Sequence, residues 1–148
     1  MKIDGSISIV FFDSVEKVSP GELEGFFVGW NNAPSGETLL TILRNSEHRV
    51  IAYDTNARKV IGFVNCISEG ILSAYIPLVE VLPKYQHMGI GSQLLQRILE
   101  ETKNYYMVDL CCDESLVSFY EKMGMKKTAG MIKRNYGNQS GRISPNKT

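Results

Sequence analysis

The sequence predicts an α+β fold in which helices cover both faces of one mixed sheet, giving three α/β/α layers. Apolar runs rich in β-branched residues and separated by short turns, such as residues 50–54 and 59–67, are typical of strands. Segments with apolar residues three and four positions apart alternate with these runs and predict amphipathic helices. No repeat or linker interrupts the chain, so we expect one domain over residues 1–136 and a polar, flexible tail over 137–148.

The first half of the chain opens with a strand and two helices. Ser19, Pro20 and Glu22 form a capping box with proline in the first turn, which predicts that a helix begins there. Trp30, near the end of that helix, is expected in the core together with the preceding phenylalanines. The predicted elements are a strand over residues 6–12, helices over 19–30 and 35–44, and strands over 50–54 and 59–67.

The second half continues with a long strand interrupted by Pro77. Proline cannot donate a hydrogen bond to a sheet ladder, so a bulge or a splayed edge is required at this point. Gly124 ends the last predicted helix. The predicted elements are a strand over residues 71–82, a helix over 89–104, a strand over 105–111, a helix over 113–122 and a last strand over 125–135.

Composition restricts the class of protein. The 148 residues are 43% hydrophobic and 22% charged, as in globular domains, and the formal net charge is zero. A neutral chain is not attracted as a whole to nucleic acid or to anionic membranes, and no apolar run is long enough to span a bilayer. Cys66, Cys111 and Cys112 form neither a disulfide framework nor a metal motif, so we expect reduced thiols, with Cys111 and Cys112 buried, and a cytoplasmic location.

Residues 79–91 contain the most informative motif, a strand followed by a turn and two glycines that begin a helix. Glycine lets the backbone approach a ligand, and the free N–H groups at a helix start attract anions such as a pyrophosphate. A P-loop would require a lysine after Gly91, where the chain has Ser92. A dinucleotide fingerprint would require a third glycine. The remaining pattern is Gln86-x-x-Gly89-x-Gly91 after an apolar strand.

This pattern resembles the acyl-CoA-binding motif of the GNAT superfamily of N-acetyltransferases. A second segment, residues 113–125, is similar to the family's C-terminal helix, in which Phe-Tyr-Glu-Lys-x-Gly is common. The resemblance implies a mostly antiparallel sheet that splays between the fourth and fifth strands of the family fold, where the pantetheine arm of acetyl-CoA enters. It implies coenzyme binding by Val79, Val81, Gln86, His87, Met88, Gly89, Ile90, Gly91, Ser92 and Asp113.

Tyr120 and Glu80 are the candidate catalytic residues. The family often has a tyrosine at the position of Tyr120, where a phenol can reprotonate the departing thiolate; the alternative is a core aromatic. Glu80 is a carboxylate in a nearly apolar strand, and burying it unpaired would be costly. It is either a base for the incoming ammonium group or an ion-paired or exposed side chain.

The sequence therefore predicts an N-acetyltransferase that moves an acetyl group from acetyl-CoA to a primary amine by direct attack. The alternative is a non-catalytic acyl-CoA-binding regulatory module on the same fold. The expected acceptor is a small molecule or a peptide, without a metal ion, nucleic acid or membrane as partner. The oligomeric state is open, and a homodimer is one of the alternatives.

Overall fold

The computed structural model describes residues 2–4 and 6–141 and contains a six-stranded sheet with the strands in chain order. The strands are β1 (Lys2–Asp4), β2 (Ile7–Phe12), β3 (His48–Asp54), β4 (Lys59–Ser68), β5 (Ser73–Val81) and β6 (Met107–Leu110). The α-helices are α1 (Gly36–Asn45), α2 (Ile90–Glu101) and α3 (Val117–Glu121). Single 3₁₀ turns form at Pro20–Leu23, Pro83–Tyr85, Glu114–Leu116 and Tyr136–Asn138.

The predicted mixed, mostly antiparallel sheet with a splayed edge is confirmed. Strands β1 to β5 pair antiparallel, whereas β5 and β6 run parallel. Pairing between β5 and β6 ends at Ile76 and Leu110, one residue before Pro77. Strand β5 then continues alone on that side while still pairing with β4 as far as Val81. The two strands therefore separate where proline cannot continue the ladder.

Helical layers cover both faces of the sheet. A Cβ atom on Gly62 of β4 would lie 3.1 Å from Leu94 of α2, so α2 packs on this face. The next residue, Phe63, points the opposite way and packs its ring against Phe26 and Phe27. The predicted apolar faces of both long helices are buried, namely Leu39, Leu40 and Leu43 of α1 and Ile90, Leu94, Leu95 and Ile98 of α2.

The predicted helix over residues 19–30 is wrong beyond its first turn. The capping box forms as expected, but the helix is a 3₁₀ turn that ends at Leu23. Gly25, Phe27 and Gly29 all have positive φ values, of 93°, 62° and 84°, which no right-handed helix can include. The segment is therefore an irregular loop. Its aromatic pair is buried as predicted, but Trp30 is 40% exposed and does not lie in the core.

The last predicted strand, over residues 125–135, is also absent from the structure. Gly124, at φ +90°, ends α3 with hydrogen bonds from its own N–H to Glu121 and from the Met125 N–H to Tyr120. Residues 126–135 then form neither helix nor strand and are exposed. Of the tail predicted from residue 137, residues 142–148 lie outside the described part of the chain.

The expectation that Cys111 and Cys112 are buried is wrong. Both are exposed, because β6 ends at Leu110 and they lie in the loop that follows, whereas Cys66 is buried. In the described residues, no helix combines the length and the apolar character needed to cross a membrane.

Candidate active site

The open half of β5 forms one wall of the site. Val79, Glu80 and Val81 pair with Val64, Phe63 and Gly62 of β4 on one side. On the other side no described strand follows, because β6 ends at Leu110. Alternate backbone N–H and C=O groups along this edge are therefore available to hydrogen-bond an extended ligand with amide groups.

The start of α2 lies directly beyond this wall. Helix α2 begins at Ile90, and its N-cap Gly89 has φ +81° and no side chain with which to cap the first N–H groups. A Cβ atom on Gly91 would meet only Val81, at 3.9 Å, and one on Gly89 would meet nothing within 4 Å. Ser92 is half-buried in the same first turn, which contains no acidic residue. This uncapped helix start is open and fits a pyrophosphate.

One hydrogen bond and one residue in the left-handed conformation shape the loop between β5 and α2. The side-chain amide of Gln86 donates to the Val81 carbonyl oxygen at 3.0 Å and ties the loop back to the strand. His87 has φ +64°, a left-handed conformation in which the chain turns sharply towards Gly89. Met88 is half-buried against the core, while Gln86 and His87 are exposed. Gln86 thus acts on the loop through its side chain and not through its backbone alone.

A buried hydrogen bond that the sequence analysis missed anchors the same loop. The Tyr85 hydroxyl donates to Asp54 at 2.7 Å, and the other carboxylate oxygen of Asp54 accepts backbone N–H groups of Ser8, Asn56 and Ala57. Burial opposes ionisation, but these hydrogen bonds together hold the pKa of Asp54 below its usual value. Burial and the Asp54 carboxylate raise the pKa of Tyr85 to about 12. The sequence contains one indication of this anchor, because the aromatic Tyr85 directly precedes the motif of residues 86–91.

Glu80 lies half-buried between the two valines of the wall. Both of its carboxylate oxygens accept the backbone N–H of Phe27, at 2.9 and 2.8 Å. Burial raises the pKa of Glu80, and hydrogen bonds from the backbones of Phe27 and Val28 oppose that rise. The carboxylate therefore holds the irregular loop against β5, and it is poised to exchange a proton at a higher pH than an exposed glutamate.

Tyr120 lies on α3, close to the end of β6. Its ring is half-buried and packs edge-on against Phe119, with the ring centroids 5.0 Å apart. Burial, and to a lesser extent the nearby Cys112 thiol, raises the pKa of Tyr120 above its usual value. The phenol is thus protonated at neutral pH and is suited to donate a proton.

Other candidates lie further from this geometry. Asp113 is exposed at the start of the 3₁₀ turn Glu114–Leu116, and its carboxylate caps no N–H group there. His48, at the start of β3, contacts the Tyr105 hydroxyl at 2.9 Å and Glu101, at the end of α2, at 3.7 Å. Within residues 2–4 and 6–141, no group of three or more His, Cys, Asp or Glu side chains could hold a metal ion.

Topology brings the two halves of the site to one edge of the sheet. Strands β5 and β6 run parallel, so their carboxyl ends lie at the same edge. The loop to α2 follows β5, and α3 follows β6, so the open helix start and Tyr120 lie on either side of the splay. A ligand between parallel strands at this edge occupies the usual binding crevice of an open α/β sheet.

Comparison with known proteins assigns the family. Residues 15–125 match the model of the acetyltransferase (GNAT) family. The chain is a member of this family. A candidate acetyltransferase from Deinococcus radiodurans R1 is 44% identical, with a TM-score of 0.86 over 95% of this chain and 96% of that one. The GNAT family protein SP0256 from Streptococcus pneumoniae TIGR4 is 32% identical, with a TM-score of 0.67 over 87% and 98% of the two chains.

Curated relatives agree with this GNAT assignment. An uncharacterized ycf52-like N-acetyltransferase from Prochlorococcus marinus is 30% identical over 119 residues, which cover 76% of this chain and 66% of the relative. GCN5-related N-acetyltransferase 2, chloroplastic, from Arabidopsis thaliana is 25% identical over 88% of this chain and 58% of the relative. The chain thus spans less than two thirds of the length of either relative.

The family bears on the two functions left open by the sequence. Transfer of the acetyl group from acetyl-CoA to an amine is the general reaction of GNAT enzymes. This favours an enzyme over a non-catalytic binding module.

Proposed function

We propose that this protein is an N-acetyltransferase that transfers the acetyl group of acetyl-CoA to a primary amine by direct attack on the thioester. The observation that carries the proposal is the continuity of the open β5 edge with the uncapped start of α2. The β5 edge offers backbone groups to an extended amide chain, and the start of α2 offers N–H groups to a pyrophosphate. Acetyl-CoA contains both of these chemical features in one molecule.

The proposed coenzyme contacts follow from the positions of the residues. The backbones of Val79 and Val81 would hold the pantetheine arm, since their outer edge has no strand partner among the described residues. The backbone from Gln86 to Ser92, through His87, Met88, Gly89, Ile90 and Gly91, would hold the pyrophosphate. Asp113 is proposed as a contact only through the family resemblance. The proposed reaction needs no metal ion.

The proposed mechanism contains three proton transfers. An alkylamine with a pKa near ~10 is protonated at neutral pH, so Glu80, directly or through water, takes one proton to expose the nitrogen lone pair. The nitrogen then attacks the thioester carbonyl, a C–N bond forms and the C–S bond breaks. Tyr120 gives its proton to the leaving thiolate and is reprotonated by the proton that the nitrogen loses as the amide forms.

The acceptor is proposed to enter beside the loop that Glu80 holds. Val28 and Trp30 are 62% and 40% exposed on this loop, and the Trp30 ring packs on Phe27 with the centroids 4.8 Å apart. These side chains offer apolar surface to the body of a small molecule or a peptide that carries the amine.

Composition supports the remaining proposals. The neutral net charge and the free cysteine thiols support a cytoplasmic enzyme without nucleic acid or membrane as partner. We also propose that residues 1–136 form a single catalytic domain.

Turnover with defined amines tests the function. The full chain is incubated with acetyl-CoA and panels of small amines and lysine-containing peptides, and acetylated products are measured by mass spectrometry. Thiol reagents are avoided because Cys111 and Cys112 are exposed and would react with them. We expect acetyl-CoA-dependent acetylation of at least one class of amine. Tight acetyl-CoA binding in calorimetry without any acetylated product would contradict the proposal.

A further inference from the structure

Two adjacent thiols lie where β5 and β6 separate. Pairing of these strands ends at Ile76 and Leu110, and Cys111 and Cys112 are the two residues that follow β6. Both are exposed. Consecutive Cα atoms are about 3.8 Å apart, so the Cα atom of Cys112 lies within about 8 Å of that of Leu110. The splay therefore has two accessible thiols at its inner end, and the proposed mechanism uses neither of them.

Cys112 lies beside the proposed acid. Burial raises the pKa of Tyr120, and the Cys112 thiol adds to that rise. The hydrogen bond that Lys127 donates to Glu114 at 2.6 Å raises the pKa of Lys127, and Cys112 contributes a smaller part of this rise as well. Electrostatic effects weaken with distance, so the Cys112 thiol lies near both the Tyr120 phenol and the Lys127 ammonium group.

The sulfur of coenzyme A would lie at the same place. Under the proposed function, the pyrophosphate binds at the start of α2 and the pantetheine amides lie along Val81 and Val79. The arm ends in the sulfur, which then lies further along β5, towards Pro77, where the two strands meet. Tyr120 must also reach this sulfur if it protonates the departing thiolate. The coenzyme sulfur and the Cys112 sulfur would therefore lie next to one phenol.

We propose that Cys112 is a site of covalent modification, at which its Sγ atom and the sulfur of coenzyme A form a mixed disulfide. The proposal rests on the coenzyme site of the proposed function, and the reactant is the disulfide of coenzyme A. The Cys112 thiolate attacks one sulfur of that disulfide, and the new S–S bond forms as the old one breaks. The second coenzyme leaves as a thiolate and takes up the proton that Cys112 lost. The attached coenzyme occupies the acetyl-CoA site, so the adduct is inactive until a thiol reduces it.

The other two thiols are less suited to this reaction. Cys66 is 0% exposed, so a disulfide in solution does not reach it. The Cys111 thiol is engaged by Tyr75, and the hydrogen bond between them is the main cause that raises the pKa of Tyr75. Cys111 is also poorly placed to displace the coenzyme from Cys112, because adjacent Cα atoms are about 3.8 Å apart and a disulfide usually needs about 4.4–6.8 Å. The adduct should therefore persist until an external thiol removes it.

Intact-mass spectrometry of the full chain detects the adduct directly. One sample is incubated with the disulfide of coenzyme A and another with glutathione disulfide, which has the same kind of S–S bond but no pyrophosphate for the start of α2 to bind. We expect one coenzyme per chain, removable by dithiothreitol and attached at least about tenfold faster than glutathione, because the site holds the coenzyme in place. Excess acetyl-CoA should suppress the reaction. Equal rates with both disulfides, or no protection by acetyl-CoA, would overturn the proposal.

Two matched serine variants identify the thiol that reacts. Cys112→Ser should form no coenzyme adduct, whereas Cys111→Ser should form it as the wild type does. Both variants should bind acetyl-CoA in calorimetry, which shows that they are folded and that the coenzyme site is intact. An adduct that persists in Cys112→Ser, or that is lost in Cys111→Ser, would contradict the assignment to Cys112.

An acetylation assay separates this proposal from the proposed function. Cys112→Ser should acetylate the same amines as the wild type, and the coenzyme adduct of the wild type should be inactive until dithiothreitol restores the rate. Acetylated product without any adduct would reject the modification of Cys112 and leave the proposed function intact. An adduct without acetylation of any amine would support the modification and contradict the proposed function.

Discussion

The backbone N–H of Phe27 lies between the two carboxylate oxygens of Glu80, at 2.9 and 2.8 Å. Phe27 has φ +62°, a conformation that is costly for a residue with a bulky side chain, and its ring is 3% exposed. The carboxylate thus holds a strained residue in place and fixes the irregular loop against the coenzyme wall. This contact gives Glu80 a positioning role in addition to its proposed role as a base.

Glu80→Gln separates these two roles. If Glu80 is the base, turnover should fall most at neutral pH, and raising the pH should restore part of the rate because free amine then forms unaided. If Glu80 only positions the loop, the pH–rate profile should stay parallel to that of the wild type, while KM for the amine rises. Profiles of kcat and KM from pH 6 to 10 distinguish these outcomes, with Glu100→Gln on the exposed face of α2 as the control.

The pKa of Glu80 also predicts how stability varies with pH. Burial raises this pKa in the folded chain, so the contribution of Glu80 to stability is complete below the unfolded value near 4.5 and is lost as pH rises through the folded value. Glu80→Gln removes the titrating proton. We therefore expect the melting temperature of the variant, relative to wild type, to increase as pH rises from 4.5 towards 7. A constant difference across that range would show that the carboxyl has an ordinary pKa.

Tyr120→Phe tests the proposed acid. The substitution keeps the ring that packs on Phe119 but removes the proton. We expect kcat to fall ~10²-fold or more while acetyl-CoA affinity, measured by calorimetry, stays nearly unchanged. Tyr106→Phe is the control, because Tyr106 is 84% exposed and lies outside the site. Equal kcat in Tyr120→Phe and wild type would make Tyr120 a packing residue only.

Gly91→Val tests the proposed pyrophosphate site. A Cβ atom at this position meets only Val81, at 3.9 Å, so the chain should accept it, whereas the added methyl groups project towards the space in front of the helix start. Affinity for acetyl-CoA should fall by roughly tenfold or more, about 1.4 kcal/mol. Gly21→Val is the control, since a Cβ atom there meets nothing within 4 Å. Gly89→Val is a weaker test because φ +81° would also strain the backbone. Unchanged affinity in folded Gly91→Val would reject the assignment.

Local patterns were sufficient to predict most of the sheet and both long helices. Residues 50–54 and 59–67 lie within the hairpin of β3 and β4, and Pro77 marks the end of β5–β6 pairing. In both cases the pattern lies in neighbouring residues. The turn residues predict the hairpin, and the missing N–H donor of proline predicts the end of strand pairing. The motif at residues 86–91 was correctly placed where the loop after β5 leads into α2, for the same reason.

Long-range contacts account for what the sequence did not predict. The capping box at Ser19 suggested a helix to residue 30, but the hydrogen bond from Phe27 to Glu80 joins residues 53 positions apart and no local pattern signals it. The bond between Tyr85 and Asp54 spans 31 positions. The predicted last strand is absent because a strand needs a hydrogen-bonded neighbour, and residues 126–134 make no backbone hydrogen bond to a described residue.

The Tyr85–Asp54 hydrogen bond should link fold stability to coenzyme binding. Tyr85→Phe leaves a buried carboxylate oxygen without its hydroxyl donor, which should cost about 1–3 kcal/mol of unfolding free energy in urea. The pKa of Asp54 is lowered in the folded chain, so its contribution is present above the unfolded value near 3.8 and is lost as pH falls through the folded value. The stability difference between wild type and Tyr85→Phe should therefore be largest near neutral pH and shrink below about pH 4.

Because Tyr85 immediately precedes Gln86, the same variant should also bind acetyl-CoA more weakly. Tyr136→Phe, at a residue 72% exposed, should change neither quantity. Unfolding curves for Tyr85→Phe that match wild type at pH 7 would mean that the backbone N–H donors alone satisfy Asp54.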